Sequence, residues 1–172
     1  MNELLLVTAV ILLAACADNP ASQSGEVQTA PVASSEDFRI AAGSGWKGHL
    51  SYLDYSSGSM SRIPVEIEIS EPKGRTLAYF IKYPGETQYN AREKIKFSRD
   101  GRELDGGRIV ARELNADGDL VLVTAFRGED NERPADIRMT YEISSAEFSI
   151  SKQVRFDGES EYFLRNRYLL TR

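Results

Sequence analysis

From residue 46 to the C-terminus, apolar and polar side chains alternate in short runs separated by clusters of Gly, Asp, Asn and Ser. A period of two puts alternate side chains on one face of a strand. Residues 46–55 form the first such run. In the next, Ile63, Val65, Ile67 and Ile69 alternate with Arg62, Pro64, Glu66 and Glu68. Glu71-Pro72-Lys73-Gly74 then turns the chain into Leu77, Tyr79, Ile81 and Tyr83. Later strands centre on residues 95–97, 109–110, 120–126, 137–143, 148–156 and 162–170, with a longer polar loop over 128–136. The one departure from this rhythm is a short turn near residues 35–40. Pairing Ile63 with Tyr83 sets Val65 against Ile81 and Ile67 against Tyr79. Pairing Tyr52 with Ile63 sets Leu50 against Val65 and Trp46 against Ile69. Each pairing gathers the apolar residues on one face.

The pattern therefore predicts an all-β, antiparallel up-and-down meander. A row of nine or so strands leaves two open edges unless the first strand meets the last. Closure into a β-barrel of about 8–10 strands is the expected solution. A two-sheet sandwich competes, but the long crossover connections it needs are hard to find in the sequence.

One residue breaks the pattern. In the run 148–156, Phe148, Ile150, Val154 and Phe156 share a phase, and Lys152 falls in it. If Phe156 opposes Tyr162, then Val154 opposes Leu164, Lys152 opposes Asn166 and Ile150 opposes Tyr168. A charged amine on an inward face needs a partner or water. Four accounts stand open: Lys152 meets the head of an amphipathic ligand, reaches the rim, pairs internally with Glu113, or follows a bulge that turns it outward.

The net charge of −5 argues against nucleic acid as a partner. His49, the only histidine, is out of phase with Trp46, Leu50 and Tyr52 and is expected in solvent. With a single histidine and a single cysteine, no His-based triad or His/Cys metal site can be assembled, and neither enzyme activity nor a cofactor is expected. Asn115 to Asp119 reads as a polar hairpin turn, because Thr124 stands where a calcium loop needs glutamate. Arg165 and Arg167 lie in the outward phase of the last strand.

The N-terminus carries a different signal. Residues 4–15 are apolar or small except Thr8, and end in Leu13-Ala14-Ala15-Cys16. A helix needs roughly 20 such residues to span a bilayer, whereas a signal-peptide apolar region takes about 7–15. Leu-Ala-Ala-Cys resembles the lipobox of bacterial lipoproteins. The resemblance implies cleavage before Cys16, diacylglycerol on its sulfur, an N-acyl group and attachment to the membrane. Ala17, where aspartate would signal inner-membrane retention, implies the outer membrane, with the protein facing the periplasm. The first residues carry Glu3 and no Lys or Arg, which departs from the usual basic start. The reading divides the chain into a signal peptide at 1–15, a lipidated N-terminus and flexible tether at 16–42, and a β-barrel domain at 43–172.

The domain also resembles lipocalins and related calycin barrels in its size, its early tryptophan and its arginine-rich last strand. In that family an arginine near the end packs across the tryptophan. Trp46 matches the tryptophan, and Arg165, Arg167 or Arg172 could match the arginine. Ser44 stands where the family's glycine would be, two residues before Trp46, with Gly43 and Gly45 on either side. A barrel of about eight strands can hold one small ligand, and the inward phase makes Lys152, Asn166, Tyr79, Tyr141 and Trp46 the expected contacts of a small amphipathic or hydrophobic one, such as a fatty acid whose head meets the lysine. The alternative is a ligandless module that binds an envelope protein or inhibits an enzyme, using an outer patch of Val121, Val123 and Ala125. A cavity reaching Lys152 favours the first; a core packed solid favours the second.

Cys16 is the only thiol, so the lipobox reading makes a direct prediction. Cells fed labelled palmitate should mark the wild-type chain and leave Cys16→Ala unmarked; equal labelling of both would remove the lipoprotein reading.

Overall fold

The computed structural model describes residues 30–172, so Cys16 and the whole lipobox lie outside the described residues. A 3₁₀ helix, Ser35–Ala41, precedes ten strands: β1 (Gly43–Asp54), β2 (Ser59–Ile69), β3 (Thr76–Lys82), β4 (Ala91–Lys96), β5 (Glu103–Leu104), β6 (Gly107–Leu114), β7 (Leu120–Asp130), β8 (Arg133–Ile143), β9 (Glu147–Phe156) and β10 (Phe163–Thr171). They form one antiparallel sheet in the order β4-β3-β2-β1-β10-β9-β8-β7-β6-β5, in which β1 pairs with β10 and β4 and β5 are the two edges. The sheet is almost closed into a barrel. The gap between β4 and β5 is spanned by an isolated bridge from Phe97 to Leu104 and by the Asp105 N–H donating to the Lys96 carbonyl at 2.8 Å. A single sheet excludes the sandwich.

The inward phase follows the sequence pattern, while the exact pairings move. Trp46 faces Ile67, Leu50 faces Ile63 and Ile69 faces Tyr79, each two residues from the expected register. A shift of two keeps every side chain on its face, which is why the pattern could not set it. Gly43 and Trp46 flank a bulge in β1, and Lys73 pairs with Thr76 across a two-residue turn. The polar stretch 128–136 is no long loop. Strands β7 and β8 run through it, and only Asn131 and Glu132, at φ 47° and 60°, make the turn.

The 3₁₀ helix plugs one end of the barrel. Phe38 is fully buried and meets Phe97 and Tyr141 edge-on at ring distances of 5.7 and 5.8 Å. Asp37 receives the Arg112 guanidinium at 2.9 and 3.0 Å. The packed unit thus starts before residue 43, the expected domain edge, because Phe38 supplies core that the strands leave empty. Trp46 is fully buried beside it, tilted against Phe148 at 5.9 Å, and its Nε1–H donates to the Ala41 carbonyl at 2.8 Å. Of the three arginines considered for Trp46, it is Arg172 that covers the ring, at 4.2 Å. Its guanidinium also donates to the carbonyls of Ile40, Ala42 and Ser145. The last residue therefore fastens the plug to the barrel.

The β1–β10 seam is tight. Gly48 sits opposite Leu170, and a Cβ at this glycine would lie 2.0 Å from the Leu169 carbonyl oxygen. Backbone atoms cannot swing aside as a flexible side chain can, so Gly48→Ala has to spread the seam. An equilibrium urea titration should show a loss of at least about 2 kcal/mol. A neutral result would mean that the seam is looser than its geometry implies.

Candidate functional site

Strand alternation alone places Lys152 in the lumen. It pairs with Met139 on β8 and Asn166 on β10, among inward residues. Its partner is Asp130, not Glu113: Lys152 Nζ donates to Asp130 Oδ1 at 2.6 Å. Asp130 continues the inward phase of Leu120, Leu122 and Thr124 to the far tip of β7, and is 9 % exposed. Reading 128–136 as a loop hid it from the sequence pattern.

Two further groups complete the cluster. The Tyr55 hydroxyl, just past β1, donates to Asp130 Oδ2. Arg165 reaches the same oxygen, with Nε at 3.2 Å. A bulge between Leu164 and Asn166 turns Arg165 from the expected outward phase toward Asp130. The bulge also sets Val154 against Phe163 in place of Leu164. The Arg165 guanidinium stacks on Tyr55 at 4.5 Å and donates to the Leu53 carbonyl at 2.5 Å. Arg167 keeps the outward phase and donates to Ser149 Oγ at 3.0 Å. One carboxylate thus ties the tip of the β7–β8 hairpin to β1, β9 and β10. Burial acts to raise its pKa, but the bonds from Lys152 and Tyr55 and the charges of Lys152 and Arg165 outweigh it. The net effect holds Asp130 below the ordinary aspartate range.

Below this cluster lies a cavity of about 240 Å³. Ile67, Ile81, Ile95, Met139 and Ile150 form its apolar wall. Tyr79, Tyr141, Tyr168, Asn166, Lys152 and Asp105 supply its polar groups. Four of the five expected contacts, Lys152, Asn166, Tyr79 and Tyr141, therefore meet around one space. Trp46 does not: it belongs to the plug, where Arg172 and the 3₁₀ helix enclose it. Larger recesses exist, such as one of about 450 Å³ around Ser34, Arg75, Ser98 and Arg112, but they are grooves on the outer surface.

The polar groups differ in how far they are committed. Tyr168 shares a 3.0 Å hydrogen bond with Tyr83. Among the described residues, the hydroxyls of Tyr79 and Tyr141 and the Asn166 amide have no hydrogen-bond partner, and each is open to solvent through the cavity. Burial, with the charges of Glu93 and Asp105, pushes Tyr79 up to about 12. Burial and Asp105 push Tyr141 up as well, so both stay neutral phenols that can donate and accept. Asp105 occupies the β5–β6 turn at φ 48° and was not among the expected contacts. Its Oδ1 accepts from the Lys96 N–H at 2.8 Å, and burial raises its pKa against the opposing effect of Lys96. A polar turn residue carries no periodic signal, so only the fold brings Asp105 to the cavity.

His49 lies at the surface with Nδ1 2.8 Å from an Arg62 nitrogen. Among the described residues, no group of three His, Cys, Asp or Glu side chains is placed to hold a metal. No family model matches the chain, and no curated protein matches it.

The Asp130 cluster predicts the behaviour of two variants. Lys152→Met should cost about 2 kcal/mol, less than the ~3–5 kcal/mol of a fully broken buried pair, because Tyr55 and Arg165 remain on the carboxylate. With its folded pKa depressed, Asp130 adds stability that is complete above the unfolded value near ~3.9 and lost as pH falls through the folded one. Asp130→Asn should therefore flatten the acid limb of stability against pH. An acid limb identical to that of the wild type would exclude Asp130 as its source.

Proposed function

We propose that this protein is a lipid-anchored barrel of the bacterial envelope that takes a small amphipathic molecule into its lumen. The observation that carries the binding half is the cavity itself. The Tyr79 and Tyr141 hydroxyls and the Asn166 amide face one space, within reach of solvent and with no hydrogen-bond partner among the described residues, so they are available to a ligand. Ligand sites typically combine an apolar wall with a few converging polar groups, and this lumen has both. Its volume lies just below the usual ~300–1,000 Å³ of such sites, which favours a compact ligand over a long-chain lipid. The anchoring half rests on the resemblance of Leu13-Ala14-Ala15-Cys16 to a lipobox.

A second reading has one observation in its favour. Val121, Val123 and Ala125 line the outer face of β7, and Val121 is 37 % exposed, with Val110 on β6 at 47 %. A partner protein in the envelope could cover this strip, whether or not the lumen is filled.

Native mass spectrometry of the purified protein separates the two. A bound small molecule should survive transfer from the wild type and be lost from Met139→Phe, whose larger ring fills the cavity at a cost of roughly 1–3 kcal/mol. An adduct that persists in Met139→Phe would place the ligand elsewhere, and a bare wild type would favour the outer strip.

A further inference from the structure

The charges around the cavity argue about the head of its ligand. Lys152 is the only cation in the wall, and its ammonium already lies 2.6 Å from Asp130, so its charge is answered inside the protein. Asp105 is in the opposite condition. Among the described residues it has no ion-pair partner, and the only bond it accepts is from the Lys96 backbone N–H to Oδ1. Asp105 lies exposed on the β5–β6 turn at the rim of the cavity, and its second oxygen bonds no described residue. Its charge is felt at both Tyr79 and Tyr141, and Glu93 adds a second negative charge near Tyr79. The wall thus brings a free carboxylate oxygen and two phenol oxygens into one cavity. A primary ammonium has three N–H donors and no acceptor, and matches that set. A carboxylate would face Asp105 as a like charge and find Lys152 engaged.

We propose that the cavity takes a small primary-ammonium amphiphile in preference to a carboxylate. The head binds Asp105, Tyr79 and Tyr141, and the apolar body lies along Ile67, Ile95 and Ile150. This proposal rests on the reading of the cavity as a binding site. It reverses the role expected for Lys152, which becomes a structural group at the far wall. The volume of about 240 Å³ suits a body of about eight non-hydrogen atoms, taking ~30 Å³ as the share of one water in the liquid.

Three probes of matched length test it: octylammonium, octanoate and 1-octanol, titrated calorimetrically into the purified protein near neutral pH. Octylammonium should bind about tenfold or more tightly than octanoate. Asp105→Asn should abolish that preference and leave 1-octanol unchanged. Asparagine keeps the acceptor for the Lys96 N–H and tolerates the positive φ, so the turn should persist, and a thermal melt checks it. The wild-type ratio decides by itself if the variant fails to fold. Tighter binding of octanoate, or a preference that survives in Asp105→Asn, overturns the ammonium assignment while leaving a binding cavity. If none of the three binds, the cavity reading falls, and this proposal falls with it.

Discussion

The pairing of the first strand with the last is the constraint on which everything else in this barrel depends. It joins the meander β1–β4 to the meander β5–β10, and without it there are two curved ribbons and no lumen. Its six-residue register, from Lys47 opposite Thr171 to Tyr52 opposite Asn166, fixes what each end of the barrel contains. At one end it delivers Arg172 to Trp46; in the middle it sets Tyr168 and Asn166 into the cavity wall; beyond, it brings Arg165 within reach of Tyr55. Close approach of the two backbones is possible because position 48 has no side chain.

The two ends solve the problem of buried polarity differently. At the plug, the guanidinium of Arg172 and the indole of Trp46 satisfy backbone carbonyls that the 3₁₀ helix and the β8–β9 turn would otherwise leave bare. At the far end, charge is matched to charge around one carboxylate. Such a cluster contributes little net stability over well-packed apolar residues, but removing one member strands the rest. What it supplies is geometry: the tip of the long β7–β8 hairpin is held to three other strands. Between the two ends lies the cavity, where the Tyr79 and Tyr141 hydroxyls and the Asn166 amide open onto shared space.

Much of this was legible in the sequence because period two is a strong signal. It gave the meander, the inward phase, the pairing of Lys152 with Asn166 and the grouping of four cavity residues. Failures came where the period is blind. A slip of two residues leaves faces unchanged, so the register around Trp46 and Tyr79 escaped. A bulge inverts phase at a single residue, which is how Arg165 passed for an outward side chain. Polar residues on a hairpin extending past the wall look like a loop, and that concealed Asp130 and with it the true partner of Lys152. Asp105, in a tight turn, belongs to no strand face at all. Trp46 stands apart from the cavity because an aromatic in the inward phase can fill a core as readily as line a cavity.

The up-and-down topology gives the barrel a direction. Turns after even-numbered strands gather at the plug, where Gly74 accepts from Ser35, Gly101 accepts from the Ala33 N–H and Gly118 approaches Ile40. Turns after odd-numbered strands gather at the opposite end, with Tyr55, Asp105 and the Asn131–Glu132 tip. The chain enters the barrel through the plug, since Ala33 and the 3₁₀ helix are bound there. A surface that holds the chain by the residues before Ala30 therefore takes hold at the sealed end. The opposite end, with Asp105 and the β7–β8 tip, is the one the entering chain leaves free.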